Sequence, residues 1–242
     1  MALTAAKLGA QGFGVSQRAK GVFSPMGTSA YRYQYADSFN ASGDYISTPS
    51  AAANQVTGDI TIISQLAMNS WQPTSVQTII AKDDVATQRS YALNVQPTGL
   101  PRFNYSTTGS AIISVTSTAA YTFADSSMHY IAVERTASTG QVRFYTSEDK
   151  VTWTLLSTVA GTAGNIFAGT APVQFGNLAA TALSLAGKIY DSEIYTGLAI
   201  SGTATLNVDF DPANYVMGTG WTSIDTGEVW TLNGNAKVYK VS

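Results

Sequence analysis

Cysteine is absent from this chain of 242 residues. Its absence excludes disulfides, zinc–thiolate centres and a thiol nucleophile. It also favours assembly in a reducing cytosol, since secreted modules of this size often carry a disulfide. Charge is scarce. Only 12% of residues are Asp, Glu, Lys or Arg, about half the ~25% of an average soluble protein. The net charge of −2 leaves no electrostatic footprint for DNA or RNA, so no nucleic-acid partner is expected. No apolar run approaches the ~20 residues that span a bilayer, so no membrane insertion is expected. The N-terminal stretch is interrupted by Lys7, Gly9, Gln11 and Gly12, and no secretory signal is read there. Phosphate-binding loops are missing too. Gly9, Gly12 and Gly14 stand in the wrong order for a dinucleotide fingerprint and follow no strand.

Apolar residues, by contrast, make up 45% of the chain. That is enough for a packed core and too much for a disordered segment. The polar remainder is rich in Ser, Thr, Asn and Gln, which suits strands and turns better than solvated helices. Alternation marks Tyr31–Tyr35, Asp59–Ile62, Gln141–Tyr145 and Val151–Leu155 as strands. Gln77–Ala81, Tyr91–Val95 and His129–Val133 read as more deeply buried ones. Turn residues lie between them, as in Ser42-Gly43-Asp44 and Gln96-Pro97-Thr98-Gly99. Beyond the N-terminal stretch no window holds a helical stripe. Many short strands with this spacing predict an all-β sandwich or barrel.

Three regions are expected. Residues 1–29 form an arm. Its first 28 residues hold five Ala, five Gly, three cations and no acid, and its apolar side chains have few local partners. Residues 30–200 form the sandwich. Residues 201–242 form C-terminal strands that pack on it or extend it. In that tail Asn233-Gly234 lies between Val229–Leu232 and Lys237–Val241 and reads as a β-hairpin turn.

The order of segments from about 39 to 198 resembles the concanavalin A-like / laminin G-like domain. Phe39–Ile46 is similar to that family's first turn and strand. Ile80-Ala81-Lys82-Asp83-Asp84 with Ser90-Tyr91-Ala92-Leu93 is similar to its "I-x-K-D … Y-x-L" hairpin. Met128–Val133 stands where the family has "W-H-x-h-A-V" (h apolar), with Met128 for the aromatic. Gln174-Phe175-Gly176 and Ala186–Tyr195 are similar to its closing strands. The resemblance implies an antiparallel jelly-roll sandwich. Phe144–Leu155 further resembles the "F-Y-x-S-x-D-G-x-T-W-T-x-L" hairpin of bacteriophage minor tail proteins, with Lys150 in place of the glycine. The tail, from Val208 to Asp211-Pro212 and from Thr226 to Gly234, is similar to their C-terminal extension.

That resemblance implies a non-enzymatic virion structural protein, tail or tail-tip associated and assembled in the host cytoplasm. Its partners would be other virion proteins, copies of itself and a host-surface glycan. A capsid decoration or head-fibre protein and a carbohydrate-binding module are the alternatives. Sandwiches of this family often hold Ca²⁺ at a loop edge, and Asp83, Asp84 and Asp44 are the residues placed for it.

An enzyme is not expected. Retaining glycosidases on this fold carry a Glu-x-Asp-x-x-Glu strand. The nearest approach here is Asp191-Ser192-Glu193, read as two solvent-facing side chains on one strand face. The single histidine, His129, has no Gly-x-Ser-x-Gly elbow for a partner and reads as structural. Tyr31, Tyr33 and Tyr35 share one side of their strand. They read as a core face or a subunit interface, or else as a sugar platform.

Overall fold

The computed structural model describes residues 34–37, 39, 43–178, 181 and 183–240. The expected arm, with Tyr31 and Tyr33, lies outside the described residues. The described residues form sixteen strands: β1 (Gln34–Asp37), β2 (Tyr45–Thr48), β3 (Ile60–Met68), β4 (Gln77–Lys82), β5 (Tyr91–Val95), β6 (Pro101–Tyr105), β7 (Ile113–Thr116) and β8 (His129–Arg135). They continue as β9 (Val142–Ser147), β10 (Thr154–Val159), β11 (Val173–Phe175), β12 (Gly187–Gly197), β13 (Ala204–Phe210), β14 (Gly220–Thr222), β15 (Val229–Asn233) and β16 (Lys237–Lys240). The described helical segments are three short 3₁₀ turns.

Two antiparallel sheets face each other. The first runs β10-β9-β8-β3-β12-β1-β16, with β13 pairing the far half of β12. The second runs β14-β15-β2-β11-β4-β5-β6-β7. Each strand turns alternate side chains inward. Ile60, Ile62 and Leu66 of β3 meet Ile131 and Val133 of β8, Ile189 and Ile194 of β12, and Leu93 and Phe103 of the second sheet in one core. Each such side chain contributes about 1.5–3 kcal/mol by leaving water. The fold is therefore the all-β sandwich that the alternation pointed to and the antiparallel jelly roll that the resemblance implied.

The tail is divided between the two sheets. β13 and β16 belong to the first, β14 and β15 to the second. Phe210, Trp221 and Trp230 enter the same core, with Phe210 stacked on Phe175 at 4.2 Å between ring centres and edge-on to Trp230 at 5.1 Å. The Trp230 indole donates to the Asp209 carbonyl at 3.1 Å, which satisfies its buried N–H.

This arrangement corrects the reading of Asn233-Gly234. β15 pairs β14 and β2, whereas β16 pairs β1. The turn therefore carries the chain from one sheet to the other and closes no hairpin. Asp44 holds the corner by accepting from the Asn235 amide at 2.8 Å. Gly234 is required there. Its φ is +62°, and a Cβ would lie 2.3 Å from the Asp44 carboxylate.

Candidate functional site

A β-bulge prepares the outer face of the first sheet. Ile189 pairs Leu66, but the next β3 residue, Gln65, already faces Asp191. Tyr190 is the extra residue, and a bulge of this kind re-aims side chains. Ile189 and Ile194 stay in the core. Tyr190, Asp191 and Glu193 are half-buried on the other side. They line a hollow of about 270 Å³ with Gln34, Gln65, Asp209, Asp211, Ala213 and Asp225. Asp209 comes from β13, directly opposite Glu193. Two carboxylates facing each other across strands repel.

A lysine from another element answers that repulsion. Lys150, in the β9–β10 turn, places its Nζ 2.7 Å from Asp191 Oδ2 and 2.9 Å from Glu193 Oε2. Tyr195 donates to Glu193 Oε2 at 2.6 Å, and Ser223 donates to Asp209 Oδ2 at 3.1 Å. Lys150 has φ +62°, a conformation that disfavours residues with a Cβ. The turn thus keeps a strained lysine where the resembled hairpin has glycine, and in return the ammonium reaches the acids.

Protonation follows from burial. Burial raises the Asp191 carboxyl to about 6; Lys150 opposes the rise and Glu193 adds to it. Burial raises Asp209 to about 7, helped by the charge of Asp191. Burial works against the Lys150 ammonium too, but Asp191 and Glu193 outweigh it and hold that group above the usual lysine range. Asp191, Glu193 and Asp209 bring carboxylate oxygens within 4.8 Å of one another. That spacing suits a hard cation, but the cation already among them is Lys150.

An aromatic shelf adjoins the hollow. Tyr35 of β1 stacks on Tyr239 of β16 and tilts against Tyr190, both with ring centres 5.5 Å apart. The Lys188 ammonium lies 4.5 Å over the Tyr35 ring. Tyr35 therefore faces outward, because Ala36 is the β1 residue in the core. Of the expected tyrosine row, Tyr35 is the member that the described residues include. Its companions come from β12 and β16.

The three predicted calcium ligands are not brought together. Asp44 precedes β2 beside the Asn235 turn. Asp83 and Asp84 follow β4 at the opposite end of the second sheet, since Ile46 and Ile80 both align with Phe175 while the two strands run the same way. Asp83 Oδ1 accepts from the Val85 amide at 2.5 Å, and Asp84 Oδ1 accepts from the amides of Ala86 and Gln88. Their oxygens shape the β4–β5 loop. Residue type suggested the set; strand register separates it.

His129 has partners that sequence spacing did not reveal. Its Nε2 lies 2.7 Å from Ser127 Oγ and its Nδ1 lies 2.7 Å from Glu148 Oε1. The order resembles a hydrolytic triad, but the Ser127 hydroxyl donates to the Ala124 carbonyl, and Glu148 is 73% exposed. A triad serine gives its proton to histidine, and the third member is buried. His129 stacks on Phe123 at 3.7 Å and closes an aromatic plug that includes Trp71.

No family model and no curated protein matches the chain. Solved structures share its fold. A candidate carbohydrate-binding protein from Bacteroides ovatus aligns with a TM-score of 0.59 at 12% identity, covering 87% of this chain and 60% of that one. This chain thus spans about 60% of that protein's length. The CBM40 domain of Ruminococcus gnavus IT-sialidase, bound to α2,6-sialyllactose, aligns at 0.49 and 14% identity, covering 69% of this chain and 98% of that one. Together with the two antiparallel sheets, the first of these likenesses shows a shared β-sandwich fold.

Proposed function

We propose that the chain is a non-enzymatic binding subunit that holds a carbohydrate on the outer face of its first sheet. One observation carries the reading. The Tyr35–Tyr190–Tyr239 shelf borders a hollow whose walls are carboxylates and amides. A sugar ring offers an apolar face to aromatic side chains and hydroxyl donors to acceptors around its rim. Five acids line the hollow against two ammonium groups, Lys150 among them and Lys188 over the shelf, so the ligand is a neutral or amine-bearing sugar. An anionic one would be repelled. The Bacteroides ovatus protein, a candidate carbohydrate binder on this fold, agrees with the class of function.

The resemblance to phage minor tail proteins supports display of this face on a virion. Residues 1–29 would dock to neighbouring virion proteins, and a host-surface glycan would be the target. A capsid decoration protein would present the same surface from the head.

An array of neutral, amino and sialylated glycans tests the site. The full chain binds neutral or amino members, and Tyr190→Ala lowers that affinity about tenfold, ~1.4 kcal/mol. Binding unaffected by Tyr190→Ala, or confined to sialylated members, would refute the assignment.

A further inference from the structure

The outer face of the second sheet carries a different chemistry. Thr78, Asn94 and Arg102 align directly across β4, β5 and β6. Asn104, two residues along β6, shares their face by alternation. The inward residues between them, Leu93, Val95 and Phe103, belong to the core. Thr78 is fully buried and Asn94 is 3% exposed, while Arg102 and Asn104 are half-buried. One wall rises beside them, where Leu178 packs on Ala81 and Ala92. The β7 side is lower, with Ser114 exposed.

Each of the four has a buried polar atom that lacks a hydrogen-bond partner: Thr78 Oγ1, Asn94 Oδ1, Arg102 Nε and Asn104 Oδ1. Buried polar groups in folded proteins are nearly always paired, and a run of contiguous exceptions calls for an explanation. Among the described residues no carboxylate pairs with Arg102. A half-buried guanidinium without a counter-ion is costly in itself.

We propose that this patch binds a sugar ring bearing a carboxylate. The carboxylate accepts from Arg102, whose fork of donors matches it. The Asn94 and Asn104 side-chain amides turn their enclosed carbonyl oxygens outward to accept from ring hydroxyls, and Thr78 completes the floor. A neutral sugar would leave the guanidinium unanswered. A simple anion would leave the amide oxygens unanswered. The acidic sugar satisfies both sets at once.

Titration calorimetry of the full chain carrying Tyr190→Ala, which removes the shelf of the first face, tests this with 3′-sialyllactose, a galacturonic acid trimer and lactose. The expected result is binding of one or both acidic ligands at least tenfold tighter than lactose. Which one binds separates a nonulosonic acid from a uronic acid. Arg102→Met should reduce that affinity at least tenfold without lowering the melting temperature, because it also removes an unpaired buried charge. Arg143→Met removes the same charge from β9 and should leave binding unchanged. No heat with either acidic ligand, equal binding of lactose, or undiminished binding by a folded Arg102→Met protein would each overturn the site. A drop in affinity as large for Arg143→Met would reduce the effect to net charge and would overturn it too.

Discussion

The two outer faces of the sandwich treat buried polarity in opposite ways. On the outer face of the first sheet, Glu134 and Lys150 find partners inside the chain. Glu134 is 1% exposed, yet its carboxylate accepts from the amides of Ile200 and Ser201 and from the hydroxyls of Tyr145 and Ser201. Lys150 spans Asp191 and Glu193 in the same manner. On the second sheet, four neighbouring side chains keep unpaired atoms. A satisfied network stiffens a fold, whereas an unsatisfied one costs stability until something outside the chain completes it. The first face thus answers Asp191, Glu193 and Glu134 from within the chain, whereas the second leaves four neighbouring polar atoms unanswered.

The largest expected effect breaks the first face. Lys150→Ala leaves Asp191 and Glu193 without their cation and should lower stability by about 3 kcal/mol in urea denaturation. Lys150→Gly should lose about 1 kcal/mol less, because glycine relieves the positive φ. Equal losses would show that the strain is immaterial, and no loss in either would remove Lys150 from the network.

Next comes Asp209→Asn. The folded-state carboxyl, raised to about 7 from an ordinary 3.8, binds its proton where the unfolded chain has already released it. Its contribution to stability is therefore full below about pH 4 and is lost as the pH rises toward 7. The variant should gain about 2 kcal/mol at pH 7 and almost nothing at pH 4. A gain independent of pH would contradict the protonation argument. The gain at pH 7 would also confirm that the first face bears a cost for its crowded acids.

The smallest effect sharpens the second face. Thr78→Val keeps the shape of a fully buried side chain and removes an unpaired hydroxyl, so it should stabilise the free protein by about 1 kcal/mol. A loss of stability would mean that the hydroxyl already has a partner in solution. Comparison with Arg102→Met then tells whether both positions give up stability for the same ligand.

Much of the fold was legible in the residues. Alternation located β3 and β9, and β-branched and aromatic content identified the more buried β4, β5 and β8. Less of the site could be read. Asp191 and Glu193 stood out as neighbours on one face, and Lys150 as a departure from glycine, but nothing in the sequence joined them. Asp209 lies 16 positions beyond Glu193 and meets it only through the β12–β13 register. Tyr190 leaves the strict inward–outward rhythm because of the bulge, a feature that composition does not announce. Asp44 stands apart from Asp83 and Asp84 for the same reason: residue type says what could ligate, but register says what meets.

By itself, the sequence determined the class of architecture, because a period-two pattern of apolar residues has one cheap solution, a sheet with one side hidden. It also determined what chemistry was absent, since no thiol and few ions were supplied. Tertiary structure decided everything that needs two strands at once: which acids share a lysine, which tyrosines share a shelf, and that Asn233-Gly234 joins two sheets. Those outcomes depend on pairing between segments far apart in the chain, and local pattern carries no record of that pairing.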